Sequence, residues 1–372
     1  MNIEVLKKEI SEVYQTPILH QTAFWSEVKS NLGVKSKAFE FKIRNSDLYT
    51  NTGGRSYTVS DFLVLIQQLS KESTIAYVPY GPEIEPSEEN QGRFLEELSE
   101  IVRSYLPSNC IALRYDLNWQ SHWGKDDFCD DEGKWMGPPQ PNYQEFHFNY
   151  NTINWNFKKA NTDILPVNTI FIDIQPEVNT ILSKMKAKTR YNINLALRKG
   201  VVVKEVGMDK LHIWYNLYRD TAYRNNIFLN DIDYFQTVLA SKAENTSSPA
   251  IVKLLLAELN GEPVSAMFLV ITDHRATYLY GASSSAHRNS MSTYALQWEA
   301  IRIAKTYGCT EYDMFGIPPN SNPSHPMHGL YQFKIGFGGE LYHQMGCWDY
   351  PFEKDKYALF QAYEMNSKGY HL

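Results

Sequence analysis

Ser73-Thr-Ile-Ala-Tyr77-Val-Pro-Tyr80-Gly-Pro-Glu-Ile84 runs an apolar stretch into a Pro/Gly turn, which reads as a buried strand ending in a sharp bend. Downstream, residues 90–105 (NQGRFLEELSEIVRSY) carry apolar side chains at helical spacing after Asn90 as a cap, and Cys110 to Asp116 (CIALRYD) reads as a second strand. The same order recurs. Arg275 to Ala282 (RATYLYGA) is a strand ending in Tyr-Gly, Thr293 to Tyr307 is an amphipathic helix, and Cys309 to Phe315 (CTEYDMF) is a strand carrying an acid. Gly81 and Asp116 are 35 residues apart, and Gly281 and Asp313 are 32 apart. Two strand–helix–strand units of matching length and turn chemistry point to an internal duplication of one β/α domain.

Outward from these units, residues 59–70 (VSDFLVLIQQLS) carry the spacing of a helix capped by Ser60. Asn118 to Phe157 is rich in aromatics and holds an acidic run (126–133, DDFCDDEG) and the turn GPPQP, so it reads as a long excursion from the first unit. Asn168 to Ile174 alternates as a strand. From Val178 to Lys204 there is no Asp or Glu, but seven cations, Lys184, Lys186, Lys188, Arg190, Arg198, Lys199 and Lys204. Ile181, Met185, Ile193 and Leu197 form an apolar stripe beneath them, and Gly200 ends the helical pattern. The cations make either an anion site or a solvated helix face.

With 372 residues, 43% hydrophobic and 21% charged, the chain has material for two buried cores and is not disordered. Its formal net charge of −6 excludes a surface coated in positive charge. The start, MNIEVLKKEISEVYQ, has no apolar signal region, and no apolar run approaches the roughly 20 residues that span a bilayer, so a cytoplasmic protein is expected. Cys110, Cys129, Cys309 and Cys347 are scattered, which indicates free thiols and no zinc knuckle. There is no GxxxxGK[ST], and GFGGE at 336–340 fits neither a phosphate loop nor a dinucleotide fingerprint. The acidic run lacks calcium-loop spacing, and His325 and His328 share a Pro-rich turn, so no metal site is expected. Gly281-Ala-Ser283-Ser-Ser285 is not a nucleophile elbow. An N-acyltransferase of β/α type fits the units, but His287-Arg-Asn-Ser-Met291-Ser-Thr293 has side chains where a CoA-binding turn needs glycines. No CoA site and no cofactor are expected.

Taken in order, several motifs resemble the FemABX family, peptidyltransferases that move an amino acid from aminoacyl-tRNA onto the stem peptide of a peptidoglycan precursor. They are Gln21-Thr-Ala-Phe-Trp25-Ser-Glu-Val-Lys29, Tyr77-Val-Pro-Tyr80-Gly-Pro82, Lys184-Met-Lys-Ala-Lys-Thr-Arg190-Tyr-Asn192 and Thr277-Tyr-Leu-Tyr280-Gly-Ala-Ser283. Leu296-Gln-Trp-Glu-Ala, Asp313-Met-Phe-Gly316 and Gly329-Leu-Tyr-Gln-Phe333-Lys334-Ile-Gly-Phe-Gly-Gly-Glu340 follow. The resemblance implies an α/β (α+β) fold of two tandem acetyltransferase-like (GNAT-like) domains facing across a cleft. Their expected extents are 1–165 and 166–344, with 345–372 packing back on the first. It implies a tRNA-dependent aminoacyltransferase whose acceptor is UDP-MurNAc-pentapeptide or lipid II, acting as a monomer.

By the same resemblance, Lys29 contacts the precursor pyrophosphate and Arg224 is the second phosphate contact, though Arg219 lies one helical turn earlier and is able to serve. Asp116, closing its strand, meets the acceptor amine and orients it or takes its proton. Tyr278 and Tyr280, two apart in a strand, face one side, toward the cleft or a core. Phe333 and Lys334, set beside a Gly-rich strand, supply a cleft cation for the developing oxyanion. Lys184, Lys188 and Arg190 face tRNA phosphates. Residues 200–253 show no charged heptads, so the chain is of the kind without a helical arm. Two other readings stay open: acylation of a different amine, and a non-catalytic muropeptide-binding protein.

Overall fold

The computed structural model describes residues 1–50, 56–124, 126–225 and 227–366. The chain begins with β1 (Ile3–Lys8), α1 (Ala23–Asn31), β2 (Lys35–Arg44), α2 (Asn45–Leu48), β3 (Tyr57–Ser70), β4 (Ser73–Val78), α3 (Glu88–Arg103) and β5 (Cys110–Gln120). β1 to β4 form an antiparallel meander, and β4 then lies parallel to β5 with α3 as the crossover. α4 (Pro141–Phe148), β6 (Lys158–Lys159), β7 (Asn168–Asp173), α5 (Val178–Lys184) and α6 (Ala187–Arg198) come next. The opening pattern then repeats. β8 (Val201–Val206), α7 (Leu211–Asn225), α8 (Ile232–Ala240), β9 (Ile251–Leu259), β10 (Glu262–Thr272) and β11 (Arg275–Ser283) lead through α9 (Ser292–Thr306) to β12 (Glu311–Asp313). β8 to β11 form a second antiparallel meander, and β11 pairs parallel with β12. The repeat expected from the two strand–helix–strand units is therefore present with its topology intact.

α10 (His328–Ile335), β13 (Glu340–Pro351) and α11 (Lys354–Asn366) complete the described chain. β13 is the seam. Its first residues, Glu340 to His343, pair with β7, and from Gln344 to Pro351 it pairs with β5. Both halves thus merge into one 13-stranded sheet, in the order β1-β2-β3-β4-β5-β13-β7-β12-β11-β10-β9-β8, with β6 on β13. α11 is pinned to β5 by Arg114, which is fully buried and reaches Asp349 at 2.6 Å and Glu364 at 2.6 Å.

Residues 59–70 are not a helix but most of the strand β3. Phe62, Leu63, Val64 and Leu65 are all buried, with Phe62 and Val64 in one core and Leu63 and Leu65 in another. A strand covered on both faces has no polar alternation, so its apolar run matches helical spacing by accident. The core that takes Leu63 and Leu65 is shared by the halves. It joins Trp25, Val28 and Tyr77 to Trp214, Phe235, Phe268 and Leu279. Packed apolar side chains therefore fill much of the space between the repeats.

The basic segment is two helices, because Met185 turns extended between α5 and α6. Ile181, Met185 and Ile193 are buried as expected, but Leu197 is exposed. In the 118–157 excursion, α4 and two short 3-10 turns supply the helical structure.

Candidate active site

A cavity of about 460 Å³ opens where the two halves meet. Its floor takes Asn118 and Gln120 from β5, Phe171 from β7, Arg275 and Thr277 from β11, and Glu311 and Asp313 from β12. His20, Tyr80 and Phe315 form an aromatic wall. The His20 ring lies 4.6 Å from Trp25, 5.2 Å from Tyr80 and 6.1 Å from Phe315, stacked on the last. Tyr80 adopts a left-handed φ of 46° and its hydroxyl donates to the Pro166 carbonyl at 2.6 Å, which ties the wall to the linker between the halves. Burial, with help from the nearby Lys29 charge, holds the His20 imidazole down to about 3, so it is neutral at physiological pH.

The acids of the cavity differ in environment. Glu311 is spent on Arg275 at 2.6 Å, and the guanidinium also covers the Phe171 ring at 4.7 Å. Asp313 is buried; its carboxylate accepts from the Thr169 hydroxyl and from the Phe315 N–H at 2.8 Å. Burial raises its pKa despite the opposing Arg275 charge and these bonds. Glu340 stands at the rim, exposed.

Lys334 sits elsewhere than expected. It lies on the helix α10, not beside a Gly-rich strand, and the glycines that follow form a turn leading into β13. Gly338 needs its φ of +81°, and a β-carbon there would meet the Lys184 carbonyl at 2.4 Å. The buried Lys334 ammonium donates to the carbonyls of Met314 at 2.7 Å, Phe315 at 3.1 Å and Gly316 at 2.9 Å. All three of its donors are used on the loop that carries Phe315 into the cavity wall. Burial pulls its pKa down to about 7, against the attraction of Asp313, while three carbonyl acceptors favour the ammonium form. Phe333 beside it packs against Tyr294 at 4.9 Å and Phe337 at 5.3 Å, as part of the second repeat's core.

Tyr278 and Tyr280 do not share a face. β10 shifts register between Phe268 and Leu269, so that Phe268 pairs with Tyr280 and Leu269 with Tyr278. The bulge at Leu279 reverses the alternation. Tyr278 joins the core of the second repeat and lies under Lys334, whose ammonium is 5.0 Å from its ring, while Tyr280 enters the shared core. Tyr280 and Tyr234 join hydroxyls at 2.9 Å.

Asp116 is also displaced from its expected position. β5 continues past it to Gln120, so it is mid-strand and fully buried. Its Oδ2 accepts from the Tyr77 hydroxyl at 2.9 Å and from Leu165 N–H at 3.0 Å, which seals it beneath the linker. Burial, aided by Asp163, pushes it up to about 6.

Lys29 lies in the last turn of α1, 5.2 Å from the Trp25 ring and 5.7 Å from Tyr234. Among the described residues no carboxylate pairs with it. Burial lowers its pKa. Arg224 ends α7, donating to the Ser283 carbonyl at 3.3 Å and to its hydroxyl at 3.3 Å. Tyr234 and Tyr280 link the two cations: Lys29 rests on Tyr234, and Ser283 lies three residues beyond Tyr280 on β11. Of the basic segment, Lys184 pairs with Asp173 at 3.3 Å, Lys204 pairs with Glu258 at 2.6 Å, and Arg190 donates to the carbonyls of Ser183 and Met185. Lys186 and Lys188 stay exposed.

His20 carried no sequence signal; its place in the wall follows from the short 3-10 turn Leu19–Gln21 packing on β3. Gln21 next to it donates to the Pro79 carbonyl at 2.5 Å and accepts from Leu63 N–H at 2.7 Å.

This fold agrees with known proteins. The FemAB family pattern matches residues 10–262 and 241–365, and the chain belongs to that family. Lipid II:glycine glycyltransferases of Staphylococcus epidermidis are 22% identical over 255 residues, covering 53% of this chain and 61% of theirs. Those of Staphylococcus aureus are 21% identical over 260 residues, covering 53% and 62%. The chain thus spans about three-fifths of the length of these curated relatives. The crystal structure of FemX matches with a TM-score of 0.69 at 18% identity, over 96% of this chain and 100% of that one, which shows a shared fold. Among the described residues no helix is long and apolar enough to cross a membrane.

Proposed function

We propose that this protein is an aminoacyltransferase that moves an amino acid from aminoacyl-tRNA to the side-chain amine of a stem-peptide diamino acid in a lipid- or UDP-linked peptidoglycan precursor. Family membership and the names of the matched relatives support the class of reaction. The observation that carries the reading is the cavity, which sets Glu311, Asp313 and Glu340 against the single guanidinium of Arg275. A surplus of carboxylates beside a neutral His20 suits a cationic amine acceptor.

The amine nitrogen attacks the ester carbonyl carbon; a C–N bond forms, the C–O bond to the ribose breaks, the amine gives up a proton and the ribose oxygen gains one. The ester is already activated, so holding the two partners together supplies roughly 7–11 kcal/mol. Asp313 faces the cavity and is the carboxylate suited to hold or deprotonate the amine, a role the sealed Asp116 cannot reach in this conformation. Lys334 acts through Phe315, as a positioning residue for the wall. Lys29, lacking a carboxylate, is the cation suited to the precursor's pyrophosphate, with Arg224 as the second. Exposed Lys186 and Lys188 are the part of the basic segment best suited to meet tRNA. In this reading the enzyme works in the cytoplasm as a monomer.

Incubating the protein with charged tRNAs and either lipid II or UDP-linked muropentapeptide tests it. A mass gain of one residue on the acceptor is the expected result. Absence of product with every charged tRNA, together with tight muropeptide binding, would instead identify a binding protein.

A further inference from the structure

The excursion at 118–157 carries a feature that aminoacyl transfer does not use. Glu88 opens α3, His122 begins the short turn His122–Gly124 after β5, and His147 lies in the last turn of α4. Their ligand atoms all lie within 4.8 Å of one another. The two imidazole centroids are 4.2 Å apart, and His122 Nδ1 is 4.0 Å from Glu88 Oε2. Trp123 stands edge-on to both rings, at 4.5 Å from His122 and 5.5 Å from His147, and Phe128 is 5.2 Å from Trp123. A second cavity of about 380 Å³, lined by Trp123, Phe128, Tyr143, Phe146 and Tyr150 among others, abuts His147.

We propose that Glu88, His122 and His147 bind one zinc ion, which pins the excursion to the start of α3. Two imidazoles and one carboxylate are a donor set for a borderline divalent ion, whereas calcium and magnesium take oxygen ligands. Bonds of about 2.0–2.2 Å bring tetrahedral ligands closer than these atoms now stand. The movement falls on Glu88, whose side chain is 44% exposed. With three protein ligands the fourth position belongs to water. The gain in stability comes from closing long spans of chain: 34 residues separate Glu88 from His122 and 25 separate His122 from His147. No sequence motif marks the set, because its ligands come from three separate elements.

The test uses the full chain, stripped with a chelator and dialysed against zinc, with metal measured by elemental analysis. One equivalent per chain is expected, held at least about tenfold more weakly in His147→Ala and in the surface variant Glu88→Gln. His325→Ala, on the Pro-rich turn, should bind as wild type does. Cobalt(II) in place of zinc should give the intense visible bands of a four-coordinate site, lost in His147→Ala. Circular dichroism checks that each variant is folded, and Glu88→Gln keeps the test decisive if a histidine variant is not. Failure to take up a stoichiometric equivalent, or unchanged affinity in both Glu88→Gln and a folded His147→Ala, overturns the proposal. Neither outcome bears on aminoacyl transfer.

Discussion

Tyr278 lies across Gly281, so closely that a β-carbon on the glycine would fall 1.6 Å from the phenol oxygen. Gly281 on β11 pairs with Met267 on β10, and the missing side chain leaves the ring its place beneath Lys334. Gly281→Ala must therefore drive Tyr278 from its seat. Overpacking of this kind costs about 1–3 kcal/mol. Urea unfolding should show that loss, and Gly281→Ala combined with Tyr278→Ala should lose less than the two single changes together.

Lys334→Met removes the donor to three loop carbonyls. Leaving buried acceptors without partners costs about 1–3 kcal/mol. Transfer should fall sharply while the protein remains folded by circular dichroism. If Lys334 works through Phe315, the loss should be reproduced in part by Phe315→Ala, and the double variant should be little worse than Lys334→Met alone. Unchanged transfer in Lys334→Met would remove the residue from the mechanism.

Asp116 gives stability a pH dependence of stated sign. Its folded pKa, about 6, is above the ordinary value of 3.8, so the native state holds the proton longer than the unfolded state. Between about pH 4 and 6 this group makes the protein less stable as pH rises. Asp116→Asn keeps an oxygen to accept from the Tyr77 hydroxyl and the Leu165 N–H and removes the titration. Its stability relative to wild type should increase from pH 4 to pH 6 and level off above. His20 works the other way: its imidazole is held down to about 3, so protonation favours the unfolded state and stability rises with pH from about 3 to 6.5. The His20→Phe difference profile should slope oppositely.

Lys29→Met tests whether that cation is there for binding. The side chain is half-buried with no carboxylate partner among the described residues, so replacing it with an apolar side chain should cost no stability in urea unfolding. The Michaelis constant for the pyrophosphate-linked acceptor should rise at least about tenfold, the scale of losing a charged contact of ~1.4 kcal/mol. A variant that unfolds more easily while binding acceptor normally would make Lys29 a structural residue.

The repeat was legible in the sequence because each copy carries a Tyr-Gly pair ahead of a helix with its own apolar stripe, although only Tyr80-Gly81 lies past its strand's end, Tyr280-Gly281 staying within β11. The long-range pairings were not. Nothing in residues 340–351 announces that they will sit between β5 and β7, and nothing in 59–70 announces a strand buried on both faces. The site was less legible. Lys29 and Arg224 were named from the family resemblance, and spacing alone did not mark them; a single bulge at Leu279 sent Tyr278 and Tyr280 to opposite faces. Asp313, quoted as a strand acid and in a motif but given no role, lines the cavity, while the motif residue Lys334 stands behind its wall. Local spacing reports what a segment does alone; which face meets a cavity depends on partners hundreds of residues away.

The seam strand has a consequence for how the molecule is born. Until residues 340–351 leave the ribosome, β5 and β7 each present a naked edge, and Arg114 waits for Asp349 across 235 positions of sequence. Such a delay leaves nascent chains open to edge-to-edge association. A chain stopped at residue 339 has every side chain of the cavity's aromatic wall but lacks the strand that joins its floor. β13 is the latch of the whole sheet, and assembly of the cavity waits on its synthesis.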